Sequence, residues 1–203
     1  VSLGDWLTFT PSQEDQVECN EPSIPLDENN LVCQALTVFR KKTGNKQPFH
    51  IKIEKNIPHQ AGLGGANSNA ATTLWALNEL TKSQMTPFEL FECSKELHSD
   101  TPFFFSQGTA FCQGTGEIVT EASLPKREVW IIKPKIGLST PKVFSCTNSK
   151  DFTTLQKAED SLKIWESGEV AAYNDLERPA FSLCSQLKDI KEEILSRGWD
   201  KVT

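Results

Sequence analysis

A glycine-rich stretch is the feature of this sequence with the clearest capacity for chemistry. Residues 58–72 read PHQAGLGGANSNAAT, with three glycines in four positions followed by alanine and small polar residues. Glycine lets the backbone turn tightly and approach a ligand closely, and the first N–H groups of a following helix point into such a turn. These donors and the helix dipole both favour an anion. The stretch therefore predicts a phosphate-binding loop; the alternative is a strand-to-helix turn in which glycine serves packing alone.

The commonest nucleotide-binding motifs do not describe this loop. No Gly-Lys-Ser or Gly-Lys-Thr follows the glycines, and their spacing does not fit GxGxxG. The hydroxyls of Ser68 and Thr72 follow the glycines closely enough to contact a phosphate or a metal ion. The loop thus indicates phosphate chemistry outside those two motif classes.

A single carboxylate beside an aromatic run is the second candidate for chemistry. Residues 98–106 read HSDTPFFFS, and Asp100 lies between the predicted end of a helix and the phenylalanines. A carboxylate that is partly desolvated in such a place becomes a better proton acceptor, which suits a general base. The alternative for Asp100 is a turn or capping residue. We interpret His98 as a surface residue in preference to a second base.

The elements that must position these residues follow from the hydrophobic pattern. Residues 49–54 alternate apolar and polar side chains, which predicts a half-buried strand ending near Lys55. Residues 69–80 are rich in alanine and leucine without a breaker, which predicts a helix after the loop. Before the strand, residues 31–42 carry an apolar stripe at helical spacing behind a possible cap at Asn30. The predicted order is helix, strand, glycine loop, helix.

Further along the chain, helices and strands are mixed without strict alternation. Residues 86–89 read TPFE, a capping box with proline at the first helical position, which predicts a helix ending near His98. Residues 103–111 and 129–132 are apolar and predict buried strands, and a late helix is predicted to stop at Gly198. The mixture indicates an α+β protein of two domains.

Composition and charge narrow the class of protein. With 203 residues, 37% hydrophobic and 24% charged, the chain is long enough to bury a sizeable core. Its net charge of -6 and its pI near 5.2 argue against a nucleic-acid partner, because such proteins usually carry a basic patch. No apolar run approaches the roughly 20 residues that cross a bilayer. The six cysteines are scattered, which predicts free thiols.

Both candidate stretches resemble one family of small-molecule kinases, the GHMP kinases. The loop is similar to the P-x-x-x-G-L-G-G-G-S-S-N-A-A-T loop of its diphosphocytidyl-methylerythritol kinase branch, with Ala66 for the third consecutive glycine and Asn67 for the first serine. The second stretch resembles the G-S-D-I-P-F-F motif of that branch, with His98 for the glycine. The resemblance implies an α+β, two-domain GHMP kinase architecture. A ribosomal protein S5 domain 2-like nucleotide-binding domain would occupy residues 1–126 and a ferredoxin-like domain residues 127–203, both incomplete.

The resemblance also implies roles for individual residues. Asp100 corresponds to the catalytic carboxylate beside the substrate hydroxyl, and Ser68 to a contact for Mg²⁺. Ser139 and Thr140 correspond to a segment on the substrate side. The residues implied to bind ATP are Gly62, Leu63, Gly64, Gly65, Asn67, Ser68, Asn69, Lys55 and Asn30.

Residue types alone leave simpler interpretations of some of these positions open. Lys55 could be a solvated charge at a strand end, and Asn30 and Ser139 could be helix caps. Ala66 would be strained if its position required a positive φ, where a Cβ is costly. Asn67 would weaken or redirect a phosphate or magnesium contact if that contact depended on a serine hydroxyl.

The implied reaction is ATP-dependent phosphorylation of the 2-hydroxyl of 4-diphosphocytidyl-2-C-methyl-D-erythritol, a step of non-mevalonate isoprenoid biosynthesis. The alternatives are another GHMP kinase, acting on mevalonate or homoserine, and a catalytically inactive nucleotide-binding relative. The lysine-bearing first strand of the family and its later Ser-Gly-Ser-Gly loop do not occur, so we expect this chain alone to be inactive or nearly so. The expected partner is a small molecule, with no nucleic acid or membrane; the oligomeric state stays open. A bacterial member would be cytoplasmic and a plant member would act in the plastid stroma.

Overall fold

The fold mixes helices with short strands. The structure, a computed structural model, describes residues 3–106, 108–148, 150, 152–199 and 201–203. Helices and strands follow one another without strict alternation along these residues. The predicted α+β class is confirmed.

The chain divides into two compact units. The first comprises Val1–His59 with Leu63–Ala122, and the second comprises Gln60–Gly62 with Ser123–Thr203. The domain boundary expected from the sequence near residue 126 stays a prediction, and each unit is described by itself.

The first unit is built around a small sheet with helices packed against it. Its elements are β1 (Trp6–Pro11), β2 (Gln16–Cys19), α1 (Leu31–Thr43), β3 (Phe49–Glu54), α2 (Gly65–Thr81), α3 (Pro87–Ser94), a 3-10 helix (Pro102–Phe105), β4 (Ala110–Gln113) and β5 (Ile118–Glu121). The sheet has the order β1-β3-β2, with β3 antiparallel to β1 and parallel to β2. Strands β4 and β5 form a separate antiparallel pair. Strand β3 is therefore the central strand, and it leads directly into the glycine loop.

Local sequence signals explain helix α1. The side-chain oxygen of Asn30 accepts a hydrogen bond from the N–H of Val32 at 2.9 Å, which satisfies one free donor of the first turn. Gly44 ends the helix with a φ of +70°, a conformation that glycine adopts at little cost. The predicted helix is confirmed, and it extends one residue beyond the predicted end.

A capping box starts helix α3, as predicted. The N–H of Glu89 donates to the Thr86 hydroxyl at 3.2 Å, and the Glu89 carboxylate accepts from the N–H of Thr86 at 2.7 Å. The helix ends at Ser94, before the predicted end at His98. The capping box therefore predicted the start of α3 correctly, whereas the predicted end was four residues too late.

The core of the first unit lies between β3 and the helices α1, α2 and α3. Strand β3 contributes alternate side chains, as its period-two pattern predicts. The buried residues of this core are Val32, Ala35, Leu36, Phe39, Phe49, Ile51, Ile53, Ala70, Leu74, Leu77, Leu90 and Cys93. Burying such a side chain stabilises the fold by about 1.5–3 kcal/mol for each larger residue. The core therefore fixes β3 and α2, the two elements that flank the glycine loop.

The strand predicted for residues 103–111 is wrong over most of its described residues, 103–106 and 108–111; residue 107 lies outside the described part. Pro102–Phe105 is a 3-10 helix, in which the N–H of Phe104 donates to the carbonyl oxygen of Thr101 at 3.1 Å. Proline at the first helical position favours this turn because its φ is already helical. The strand begins only at Ala110.

The second unit is mainly helical. Its elements are α4 (Thr140–Ser145), α5 (Leu155–Glu166), α6 (Glu177–Leu183) and α7 (Ser185–Ser196). Helix α7 covers the predicted late helix and ends just before Gly198, as expected. The buried strand predicted for residues 129–132 is wrong, because in the described part of the chain no strand pairs with this segment. Its four side chains are more than half exposed.

No helix among the described residues is both long enough and apolar enough to pass through a membrane.

Candidate functional site

The glycine loop ends at the N-terminus of α2, as the sequence predicted. The helix begins at Gly65, four residues earlier than expected, and Gly64 occupies the capping position with no side chain to offer. The first hydrogen bond of the helix joins the N–H of Ser68 to the carbonyl oxygen of Gly64 at 2.9 Å. The N–H groups before Ser68 therefore have no side-chain cap and are oriented to receive an anion.

Glycine is required at position 64 for two reasons. Its φ is +67°, in the left-handed region, where a Cβ is costly. A Cβ there would also lie 2.8 Å from the Cζ of Phe104. The 3-10 helix thus packs directly against the start of α2, and a side chain at position 64 would force the Phe104 ring to move.

The replacement at Ala66 causes no backbone strain. Ala66 lies inside α2, and it is not among the residues with a positive φ. The third consecutive glycine of the kinase loop is therefore not needed for backbone conformation at this position. The backbone strain considered for Ala66 from the sequence is therefore absent.

Asn67, which stands where the kinase loop has a serine, is hydrogen-bonded to Thr101. Its side-chain oxygen accepts a hydrogen bond from the Thr101 hydroxyl at 3.0 Å, and both residues are buried, at 8% and 0% exposed. Thr101 follows Asp100 directly in the chain, so this bond ties the first turn of α2 to the turn that carries the candidate base. A buried bond of this kind stabilises by about 0.5–1.5 kcal/mol. No local sequence signal pointed to it, because 34 residues separate the two side chains.

Asp100 is exposed, and the expectation that it would be partly desolvated is wrong for this structure. Its side chain is 61% exposed, and its Oδ2 lies 3.8 Å from Nδ1 of His98, itself an exposed residue as predicted. The reason is local: the following residues turn into a 3-10 helix instead of extending into a strand, which leaves the carboxylate on the outside of the turn. The carboxylate is accessible to a ligand hydroxyl.

Gly116, in the turn between β4 and β5, lies close to Ser99 and Asp100. The glycine has a φ of +130°, and a Cβ there would lie 3.1 Å from Oδ1 of Asp100 and 3.0 Å from the carbonyl oxygen of Ser99. The turn between β4 and β5 can approach the Ser99 carbonyl group and the Asp100 carboxylate this closely only because it has no side chain at that point. Thr101 and Gly116 therefore limit the movement of Asp100 without covering it.

Lys55 lies beneath the loop and is held by an aspartate that sequence reasoning missed. The Lys55 ammonium is paired with the carboxylate of Asp5; their side chains are 8% and 0% exposed. A Cβ at Gly65 would lie 3.0 Å from Nζ of Lys55, so the ammonium sits against the first turn of α2. Lys55 is therefore not a solvated strand-end charge, and its direct contact with a nucleotide stays a prediction.

The Asp5 carboxylate accepts hydrogen bonds from four donors. Besides Lys55, these are the N–H groups of Asn56 at 2.7 Å and Ile57 at 2.8 Å, and the side-chain amide of Asn69 at 2.9 Å. Burial acts to raise the pKa of Asp5, but these bonds outweigh it and hold the pKa below its usual value. Asn69, predicted to contact the nucleotide, is 5% exposed and faces this carboxylate; its nucleotide contact also stays a prediction.

The remaining predicted site residues fall into three places. Asn30 caps α1 and donates to the carbonyl oxygen of Pro25 at 2.7 Å, which supports its interpretation as a cap. Gly62 is exposed, and Leu63 and Ser68 are half-buried beside the start of α2. In the second unit, Ser139 precedes α4 but makes no side-chain cap, and Thr140 is the first helical residue. The predicted contact of Ser139 and Thr140 with the substrate stays a prediction.

Comparison with known proteins identifies the class. The family model for the N-terminal domain of GHMP kinases matches residues 30–108, the stretch from the cap of α1 to just beyond the 3-10 helix. The structure also resembles a homoserine kinase from Cytophaga hutchinsonii, with a TM-score of 0.66 at 15% identity over 96% of this chain and 70% of that one. At this identity the likeness shows the fold alone. The fold and the glycine loop are those of a GHMP kinase.

Relatives with higher identity narrow the assignment. A 4-diphosphocytidyl-2-C-methyl-D-erythritol kinase of Protochlamydia amoebophila is 43% identical over 203 residues, covering 100% of this chain and 69% of the relative. The chloroplastic enzyme of Arabidopsis thaliana is 39% identical over 98% of this chain and 54% of its own length. A crystal structure of 4-(cytidine 5'-diphospho)-2C-methyl-D-erythritol kinase aligns with a TM-score of 0.75 and 30% identity, over 99% of this chain and 73% of that one.

The chain belongs to the 4-diphosphocytidyl-2-C-methyl-D-erythritol kinase family. It spans about two thirds of the length of the Protochlamydia relative and about half of the length of the plant relatives.

Proposed function

We propose that the complete protein transfers the γ-phosphoryl group of ATP to the 2-hydroxyl of 4-diphosphocytidyl-2-C-methyl-D-erythritol in non-mevalonate isoprenoid biosynthesis. The names of the relatives at 39–43% identity support this substrate. One observation carries the proposal: a hydrogen bond connects the uncapped N-terminus of α2 to the turn that bears the exposed carboxylate of Asp100. Both parts of a phosphoryl-transfer site, an anion cradle and a proton acceptor, are joined by the bond between Asn67 and Thr101.

The loop would hold the phosphates of ATP. The uncapped N–H groups at the start of α2 are fixed donors that need no rearrangement when the anion arrives. The backbone of Gly64 and Gly65 can approach the phosphates closely, and the Ser68 hydroxyl adds a side-chain donor from the same turn. Most of the rate in phosphoryl transfer comes from such positioning and charge stabilisation.

The oxygen ligand available at this site fits a Mg²⁺ ion that is bound together with ATP. Among the described residues, no three His, Cys, Asp or Glu side chains lie close enough together to hold a metal ion by themselves. Mg²⁺ commonly keeps several waters and takes few protein oxygens, together with substrate phosphates. A single hydroxyl from Ser68 at the start of α2 matches that requirement. When bound, Mg²⁺ supplies charge neutralisation on the phosphates.

Asp100 would orient the acceptor hydroxyl and take its proton. The carboxylate is exposed to an incoming hydroxyl, while Thr101 and Gly116 restrict the turn behind it. A general base must come within about 2.6–3.2 Å of the proton donor, and a restricted turn favours that geometry. The substrate contacts of Ser139 and Thr140 belong to the same proposal.

An ADP-release assay with several acceptors tests the substrate. The complete protein, with ATP and Mg²⁺, is given the cytidylyl-linked methylerythritol, mevalonate or homoserine in parallel. We expect ADP release with the first acceptor and only background release with the other two. Turnover of mevalonate or homoserine without turnover of the cytidylyl substrate would overturn the substrate assignment and leave the kinase class standing.

The compartment follows from the source of the protein. Several plant relatives are named as chloroplastic. We therefore infer the plastid stroma for a plant source and the cytoplasm for a bacterial one. Fractionation of source cells, with an antibody against the chain, would test this: recovery in a membrane pellet would contradict both.

A further inference from the structure

We propose that Asp5 is a positioning residue for the phosphate loop. Its carboxylate ties together the two chain segments that enter and leave the loop, and it holds Lys55 beneath the first turn of α2. The identity of the ligand as ATP rests on the proposed function. The role of Asp5 is additional to it, because the Asp5 side chain is fully buried and would act through the groups that it holds.

The connection across the loop is direct. Before the loop, Asp5 accepts from the consecutive N–H groups of Asn56 and Ile57, which come after the end of β3. After the loop, it accepts from the amide of Asn69 in the second turn of α2. One carboxylate therefore sets the distance between the end of β3 and the start of α2. The first turn of α2, whose N–H groups would bind the phosphates, is thereby held in place relative to β3.

The ion pair with Lys55 makes this connection sensitive to charge. The Lys55 side chain is almost completely buried, and its ammonium lies against Gly65. The N–H of Gly65 belongs to the uncapped first turn of α2. Without a carboxylate partner, the buried ammonium must move toward water, because burying an unpaired charge is costly. This movement would shift the backbone at Gly65. The donors for the phosphates would then no longer be aligned.

The same strand provides a matched control at its opposite end. Asp15 accepts from the guanidinium of Arg40 and from the N–H of Phe49, the first residue of β3. It thus joins a cation and a strand-end N–H, as Asp5 does, but far along the strand from the glycine loop. Asp15→Asn removes a comparable anchor without touching the proposed machinery.

The test is the binding of ATP with Mg²⁺ to three forms of the complete protein, measured by isothermal titration calorimetry. The forms are wild type, Asp5→Asn and Asp15→Asn, compared at a temperature where circular dichroism shows each to be folded. We expect the Kd of Asp5→Asn to rise on the order of tenfold, because small misplacements of donors weaken binding strongly. The Kd of Asp15→Asn should stay within about twofold of wild type. Equal Kd values for Asp5→Asn and wild type would overturn the proposal.

A second variant covers the case in which Asp5→Asn does not fold. Asn69→Ala removes the hydrogen bond from α2 to Asp5 and leaves the ion pair between Asp5 and Lys55 intact. It should also weaken ATP binding, by a few-fold, and unchanged binding would overturn the proposal.

Failure of the proposed function looks different from failure of this inference. Wild type that binds ATP but does not phosphorylate the cytidylyl substrate would remove the substrate assignment and leave the Asp5 comparison valid. Wild type that binds no ATP would overturn both.

Discussion

The two ends of β3 use the same chemistry for different purposes. At each end, an aspartate accepts hydrogen bonds from a cation and from backbone N–H groups: Asp5 at the loop end and Asp15 at the far end. The Asp5 side chain is fully buried, whereas the Asp15 side chain is 37% exposed. The helix terminus next to each end decides the role of the aspartate there. The loop end faces an uncapped helix start that can hold a bound anion. The far end faces the C-terminus of α1, where the helix dipole would disfavour an anionic ligand in addition to Asp15.

The largest expected effect at the loop end is the loss of catalysis in Asp100→Asn. The amide keeps the shape of the side chain but accepts a proton poorly, so kcat should fall by roughly 10²–10⁴-fold. ATP binding should stay close to that of wild type, because the phosphate donors lie in α2. Steady-state kinetics with the complete protein, together with calorimetry for ATP, measure both quantities. Full turnover in the variant would remove Asp100 from the mechanism.

A pair of glycine substitutions compares the two ends of the strand by backbone alone. Gly64 and Gly44 both have a left-handed φ, but a Cβ meets Phe104 at 2.8 Å in the first case and open space in the second. Gly44→Ala should lower the free energy of unfolding by about 1–2 kcal/mol, the cost of the backbone conformation. Gly64→Ala should cost more than that and should also weaken ATP binding.

Urea unfolding and ATP calorimetry on both variants check this prediction. Since Gly44 lies at the far end, its alanine variant should bind ATP normally once it is folded. If the two variants lost stability and ATP affinity equally, the distinction between the ends would be lost.

The bond between Asn67 and Thr101 offers a smaller effect. Thr101→Val removes the hydroxyl while keeping the branched shape, and it leaves the buried oxygen of Asn67 without its donor. We expect a loss of about 1–2 kcal/mol in stability and a several-fold fall in kcat with little change in the KM for ATP. Thr37→Val on α1, which loses only a bond to the Cys33 carbonyl oxygen, is the control and should leave kcat unchanged. A Thr101→Val enzyme with wild-type kcat would show that the bond serves stability alone.

The smallest effect concerns acid. Hydrogen bonds from Arg40 hold the pKa of Asp15 below its usual value of 3.8, and the bonds to Asp5 do the same against the effect of burial. Because the folded pKa lies below the unfolded one, this stability is present above pH 3.8 and is lost as the pH falls through the folded pKa. Urea midpoints should therefore fall in this acid range for wild type and fall less steeply for Asp5→Asn and Asp15→Asn. An unchanged slope in both variants would contradict the account.

The parts of the fold that the sequence predicted well depend on local signals. The cap at Asn30, the capping box at Thr86 and the alternation in residues 49–54 each act over a few residues, and the corresponding elements form as expected. The start of α2 was placed four residues too late, because glycine and small polar residues are poor helix formers by propensity alone. Here the tertiary contact between the start of α2 and Phe104 outweighs that preference.

The parts that could not be predicted depend on distant partners. Asp5 lies 50 residues from Lys55 and 64 from Asn69, so no local pattern points to their cluster. Apolar composition suggested strands for residues 103–111 and 129–132, but a strand also needs a neighbour to pair with. For 103–111, proline at the first position of a turn gave a 3-10 helix instead. The glycine loop was predicted because its glycines act locally; the carboxylate that holds it in place was not.

Amide hydrogen exchange in the presence and absence of ATP and Mg²⁺ tests the difference between the two ends of β3 most directly. In the complete protein at short labelling times, we expect ATP to slow exchange at residues 62–68, the loop and the first turn of α2. Exchange at residues 44–49, before and at the start of β3, should not change. Slower exchange at residues 44–49 without any change at residues 62–68 would contradict the account, because the nucleotide would then bind at the wrong end of the strand.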